Sequence, residues 1–205
     1  MGTIFLMRHG AILQRLPRRF VGQTDFPLID EGRAQAALWR DALAEVPFAA
    51  AVTSDLSRCR ETAAIVLADR EVPVRHDARL REILLGGWEG LTVEEVHERF
   101  PGAYERRGHD LTGFRPEDGE SFAEVQGRAM AVMEELAGVA GNVLVVAHGG
   151  VNRTILCHAL GIPLEHLFRL GQRYCGLNLL KRDTDCWHVD GINLAPVAPW
   201  NFPGP

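Results

Sequence analysis

Apolar positions in this chain fall into short unbroken runs that alternate with longer stretches of helical spacing. Thr3-Ile4-Phe5-Leu6-Met7 and Asn142-Val143-Leu144-Val145-Val146-Ala147 are almost wholly apolar and partly β-branched, as strands buried on both faces of a parallel sheet should be. Phe48 to Val52 predicts another strand. Val72-Pro73-Val74 predicts a short one at an edge, because proline cannot donate to the ladder. Apolar residues at helical spacing predict helices over 30–44 and 57–68. A third helix is expected over 92–100, stopped by Pro101-Gly102. A longer one over 121–137 opens with Ser121 and Glu124, the two ends of a capping box. Another helix follows over 151–160, and alternation at 174–181 and 187–193 predicts a closing hairpin. Strands alternating with helices imply an α/β fold, a three-layer α/β/α sandwich on a mostly parallel mixed sheet. Residues 83–120, rich in Gly, Arg and Glu, read as a lid-like excursion over that sheet, and 194–205 as a proline-rich tail.

With 205 residues the chain suffices for a single domain over 1–205. Its net charge of −5 argues against a nucleic-acid partner. It also means that an anionic substrate must be drawn by local arginines. No apolar run is long enough to span a membrane, and Arg8 comes too early for a signal-peptide core. Leu6 stands where a myristoylation signal needs Ser or Thr. Cys59, Cys157, Cys175 and Cys186 are scattered without a C-x-x-C pair, which reads as free thiols. The expectation is a cytoplasmic protein without membrane partners.

Both long apolar runs end in a histidine followed by glycine: Arg8-His9-Gly10 and His148-Gly149-Gly150. Ligands of parallel sheets bind just beyond the carboxyl ends of the strands, so neighbouring strands would bring the two imidazoles to one crevice. The alternative for each is a histidine that merely caps its strand. In Ser54-Asp55-Leu56-Ser57-Arg58-Cys59-Arg60, cations sit in the first turns of a helix, where they are unfavourable unless an anion is held there. Pairing of Arg58 and Arg60 with Asp55 or Glu61 is the competing explanation. Glu82 precedes a glycine-rich apolar stretch, where partial desolvation would suit it to donate a proton; a solvated carboxylate is the plainer reading.

Five ordered blocks now stand together: Arg8-His9-Gly10; Ser54-x-Leu56-x-Arg58 with Thr62-Ala63; Leu80-x-Glu82 with Trp88-Glu89-Gly90; Pro116-x-x-Gly119-Glu120-Ser121; and His148-Gly149-Gly150-Val151. Over about residues 3–182 the chain resembles the histidine phosphatase superfamily, in the branch of the phosphoglycerate mutases and small phosphatases. The resemblance implies that His9 is the nucleophile that becomes a phosphohistidine. It implies that Arg8, Arg58 and His148 hold the phosphoryl oxygens, and that Glu82 is the general acid. Gly149, Gln23, Thr24 and Arg15 are further candidates for the substrate pocket, a tight turn being the simpler account of Gln23 and Thr24. Ala11 to Arg15 departs from the family pattern, with Arg15 where an asparagine usually contacts phosphate.

No cofactor and no metal are expected, since arginines and a second histidine serve the phosphoryl group and no zinc-type spacing occurs. The remaining histidines sit in ordinary contexts. The segment 91–120 is short for a mutase, which favours a hydrolase of a small phosphorylated metabolite, with α-ribazole 5′-phosphate leading. A phosphoglycerate mutase and a non-catalytic phosphate-ester or protein-binding module are the alternatives. A homodimer is the one assembly entertained.

Overall fold

The computed structural model describes residues 2–196 except 15, 69 and 185. The part of the proline-rich tail beyond 196 therefore lies outside the described residues, as does Arg15. Twelve strands and α-helices follow in chain order among those described: β1 (Ile4–Arg8), α1 (Asp30–Ala42), β2 (Phe48–Thr53), α2 (Ser57–Leu67), β3 (Val74–His76), α3 (Val93–Arg99), α4 (Ala103–His109), α5 (Phe122–Ala137), β4 (Asn142–Ala147), α6 (Gly149–Leu160), β5 (Leu177–Arg182) and β6 (Trp187–Leu194).

The sheet order is β3-β2-β4-β1-β5-β6. β1, β2, β3 and β4 run parallel, whereas β5 and β6 form the antiparallel side, so the sheet is mixed. The two histidine-bearing strands are direct neighbours, with Ile4 opposite Val143 and Arg8 opposite Ala147. Strand periodicity divides each apolar run between two cores. Leu6, Val143 and Val145 face a core shared with Val125 and Met133 of α5 and Ile155 of α6. Phe5, Met7, Leu144 and Val146 face the other, with Trp39 of α1 and Cys59, Ala63 and Val66 of α2. Burial on both faces is why these strands carry no alternation in sequence.

The edge strand begins two residues later than the pattern suggests, directly after Pro73, whose carbonyl accepts the Ala51 N–H at 2.8 Å. Capping boxes open α3 at Thr92 and Glu95, and α5 at Ser121 and Glu124. The excursion over 83–120 is anchored, not loose: Trp88, Val96 and Ala103 are buried in the first core. Its helix α4 has no counterpart in the sequence reading. Chain connection also needs close backbone approach: a Cβ on Gly10 would overlap the carbonyl of Gly32, which packs the start of α1 against the loop after β1.

Candidate active site

His9 and His148 leave adjacent parallel strands, and their rings meet at 5.1 Å between centroids and an angle of 63°. The Nδ1 of His9 lies 2.8 Å from the carbonyl of Gly10. A carbonyl only accepts, so Nδ1 carries the proton and Nε2 keeps its lone pair. Nε2 has no hydrogen-bond partner among the described residues, and His9 lines a cavity of about 410 Å³. Burial, with Arg8 and Arg58 beside it, holds the ring well below the ordinary histidine pKa. It is therefore neutral at pH 7. The Gly10 N–H is tied to Thr62 Oγ1 at 3.0 Å, which fixes the loop carrying this ring.

His148 has no exposed surface and sits behind His9 instead of on the cavity wall. Arg58 Nε donates to its Nδ1 at 3.3 Å, so the neutral ring must carry its proton on Nε2. That proton faces Ser54 Oγ at 2.9 Å. The buried Cys59 thiol packs at 3.4 Å from the same nitrogen, and burial pushes its pKa up. Burial and the same arginines keep His148 neutral as well.

Arg58 is 1% exposed and is gripped by the carbonyls of Thr24 at 2.8 Å and Gly22 at 3.0 Å. The anion that the sequence placed at the start of α2 comes from the chain itself: Asp25 accepts the Ser57 N–H at 3.0 Å and its hydroxyl at 2.8 Å. Asp55 pairs with Arg81 and Glu61 with Arg33; Arg58 lines the cavity with Asp25 3.8 Å from its Nη1, whereas Arg60 is exposed. Arg8 donates to the Gln172 carbonyl at 2.7 Å and lies 4.0 Å above the Tyr174 ring. Its Nε is buried without a partner.

Glu82 reaches the cavity from the excursion side. Its carboxylate accepts the N–H of Gly150, at the start of α6, at 3.0 Å and that of Ile83 at 3.0 Å. The segment is held by Arg128, which donates to the carbonyls of Arg79 (2.6 Å), Arg81 (2.6 Å) and Glu82 (3.1 Å) and pairs with Glu120 at 2.8 Å.

Gly149 lines the cavity, but Gln23 and Thr24 do not. Their turn is clamped by Glu89, which accepts Gln23 N–H at 2.7 Å and Thr24 N–H at 2.9 Å. Gln23 Nε2 donates to the Glu82 carbonyl at 3.0 Å. From behind the cavity wall the Thr24 carbonyl holds Arg58 and the Gln23 side chain holds the Glu82 backbone. Within the departing segment, Ile12 and Gln14 line the cavity, and Gln14 holds the Tyr174 hydroxyl at 2.7 Å.

Sequence reasoning missed Tyr174, Arg153, Arg107, Arg18 and Arg128. Only Arg153 carried a local signal, one helical turn after Gly149. Among the described residues no group of three or more His, Cys, Asp or Glu is arranged to hold a metal ion. None of the described helices is long and apolar enough to cross a membrane.

The profile of the histidine phosphatase superfamily (branch 1) matches residues 4–195. The chain belongs to that superfamily. It is an enzyme of the histidine phosphatase type. Glucosyl-3-phosphoglycerate phosphatase of Mycolicibacterium vanbaalenii is 36% identical, over 82% of this chain and 78% of that one. The 2,3-bisphosphoglycerate-dependent phosphoglycerate mutase 2 of Gloeobacter violaceus is 33% identical, over 85% and 83%. The adenosylcobalamin/alpha-ribazole phosphatase of Escherichia coli is 27% identical, over 93% and 90%. The solved structure of Bacillus stearothermophilus YhfR superposes with a TM-score of 0.84 at 34% identity, covering 93% of this chain and 96% of that one. The solved relative thus shares the fold seen here, while the substrates in these names differ.

Proposed function

We propose that this histidine phosphatase hydrolyses the phosphomonoester of a small metabolite through a phosphohistidine on His9, without a metal. The observation that carries the reading is the state of His9: a neutral ring, its Nδ1 proton committed to Gly10, and Nε2 open to the cavity. Nε2 attacks phosphorus as the ester P–O bond breaks, and the departing oxygen takes a proton from the Glu82 carboxyl. Water then attacks the same phosphorus. Glu82 accepts its proton, the N–P bond breaks, and inorganic phosphate leaves. Arg8 and Arg58 face the non-bridging oxygens, where charge is concentrated during transfer. His148 accepts from Arg58 Nε at Nδ1 and so steadies that guanidinium against the cavity.

The named relatives support phosphoryl chemistry on several small molecules; α-ribazole 5′-phosphate and glucosyl-3-phosphoglycerate enter as candidate substrates on those names. The short excursion and its open cavity favour release to water over return to a second hydroxyl. We take the chain to act as one domain and as a homodimer in the cytoplasm, in keeping with its four unpaired cysteines.

The test is turnover of p-nitrophenyl phosphate in EDTA by the wild type and by His9→Ala. Retained turnover in EDTA, and loss of both turnover and an acid-labile phosphoenzyme in the variant, are expected. Loss on chelation with recovery on adding zinc would overturn the metal-free mechanism, and labelling of His9→Ala would move the nucleophile elsewhere. A coupled phosphoglycerate mutase assay separates transferase from hydrolase.

A further inference from the structure

The cavity holds more positive charge than a phosphoryl group needs. Arg8 and Arg58 flank His9, and Arg19 is neutralised by Glu95 at 2.8 Å. Arg18, Arg107 and Arg153 also line the wall, and among the described residues none of the three has a carboxylate within 4.0 Å. Among the described residues Glu82 is the one acid on that wall.

Two of these arginines converge on one ring. The guanidinium of Arg107, from α4, and that of Arg153, from α6, each lie 5.6 Å from the centroid of Phe168. Arg107 also lies 5.9 Å from the ring of Phe122. Phe168 is 53% exposed, a large apolar face left beside the cavity mouth. Arg153 spends Nε on the Leu170 carbonyl at 2.8 Å and Nη1 on the Gly149 carbonyl at 3.2 Å, which leaves Nη2 uncommitted. Its Nη1 and the unpartnered Arg8 Nε both approach Gly149, since a Cβ there would stand 3.2 Å and 3.3 Å from them. Burial and the neighbouring arginines lower the pKa of Arg153. Partly buried like charges without a counter-ion are costly, and a bound anion offsets that cost.

We propose that Arg107 and Arg153, gathered around Phe168 with Arg18 on the same wall, form a second anion subsite, so that the substrate is a phosphomonoester whose alcohol part carries another anionic group. This rests on the phosphatase reading above and specifies its substrate class. The phosphoryl group sits at His9 between Arg8 and Arg58, and the second anion, a carboxylate or another phosphoryl, meets the outer guanidinium forks. A cavity of about 410 Å³ accommodates both. A neutral aromatic alcohol such as α-ribazole leaves Arg107 and Arg153 unanswered.

Matched substrates test this directly. 3-Phosphoglycerate and glycerol 3-phosphate differ only in a carboxylate against a hydroxymethyl group; fructose 1,6-bisphosphate and fructose 6-phosphate differ in a second phosphoryl. In at least one pair the more acidic member is expected to show kcat/KM higher by about tenfold or more, carried mainly by KM. The pair that discriminates identifies the anion. Arg107→Gln should bring that ratio close to one, and Arg107→Lys should restore part of it. Arg153→Gln should act likewise; because it also cuts two backbone contacts, Arg107→Gln decides the matter if that variant folds poorly. Equal kcat/KM within both pairs, a ratio that survives Arg107→Gln, or faster turnover of α-ribazole 5′-phosphate than of any acidic ester would overturn the subsite. Failure to hydrolyse p-nitrophenyl phosphate as well would strike the phosphatase reading instead.

Discussion

Glu82 accepts the backbone N–H of Gly150 at 3.0 Å, so the proposed acid is seated on the first turn of the helix that follows His148. One hydrogen bond thereby ties the excursion to the central strand pair.

Removing the proton from this position should matter most where the leaving group is poor. Glu82→Gln is expected to lower kcat by roughly 10²–10⁴ on an alkyl phosphate and by much less on p-nitrophenyl phosphate. A plot of rate against leaving-group pKa checks this, and a uniform loss would remove Glu82 from the proton transfer.

Gly150→Ala tests the seat without touching the carboxyl. A Cβ there would overlap Glu82 Oε1, so the carboxylate must move. Displacement by about 1 Å is worth up to ~10² in rate. Alkyl-phosphate kcat should fall while inorganic phosphate, held by Arg8 and Arg58, still inhibits at the wild-type concentration.

His9 and His148 are both held well below 6.5 by burial and flanking arginines. In the unfolded chain they take up protons near 6.5 while the native state does not, so stability rises with pH through that region and is lost as pH falls below it. Each contributes about 1.4 kcal/mol per pH unit at most between its two pKa values. Denaturant midpoints at pH 7.5 and 5.5 should therefore drop on acidification, and less so in His148→Gln. The acid limb of kcat/KM should likewise lie well below 6.5.

Arg128 satisfies three carbonyls and the Glu120 carboxylate at once. Arg128→Met should cost about 3–5 kcal/mol, since it strands a partly buried acid and several acceptors. Chemical denaturation measures this; a loss under about 1 kcal/mol would mean that water replaces the arginine.

Ser54 Oγ accepts the Nε2 proton of His148 from behind the cavity. Ser54→Ala should lower kcat with little change in the inhibition by phosphate, and Ser54→Thr should recover part of the loss. The His148 ring nitrogen signals in NMR should shift in the first variant and not in the second.

Much of the frame was readable because β1 and β4 are buried on both faces and their apolar runs cannot be mistaken for amphipathic helix. His9, His148 and Arg58 stood out because each adjoins the end or start of an element, and Glu82 because it precedes a glycine-rich apolar stretch. The supporting residues did not. Arg128 and Tyr174 act across long stretches of chain, and nothing in their immediate neighbours marks them. Helix α4 escaped because Ala103-Tyr104-Glu105-Arg106-Arg107-Gly108-His109 has one buried residue and an internal glycine. The basic start of α2 was read as a ligand's seat, yet Asp25 fills it from within the chain.

The strand order also governs how the protein is made. Both neighbours of β1, namely β4 and β5, come from the last third of the chain. During translation the first strand must wait with two open edges until β4, ending at Ala147, has left the ribosome, and with one until β5, ending at Arg182, has followed. No amino-terminal fragment that ends before β4 can assemble the paired histidines, so truncation or premature termination there should yield aggregation-prone chains in place of weakened enzymes.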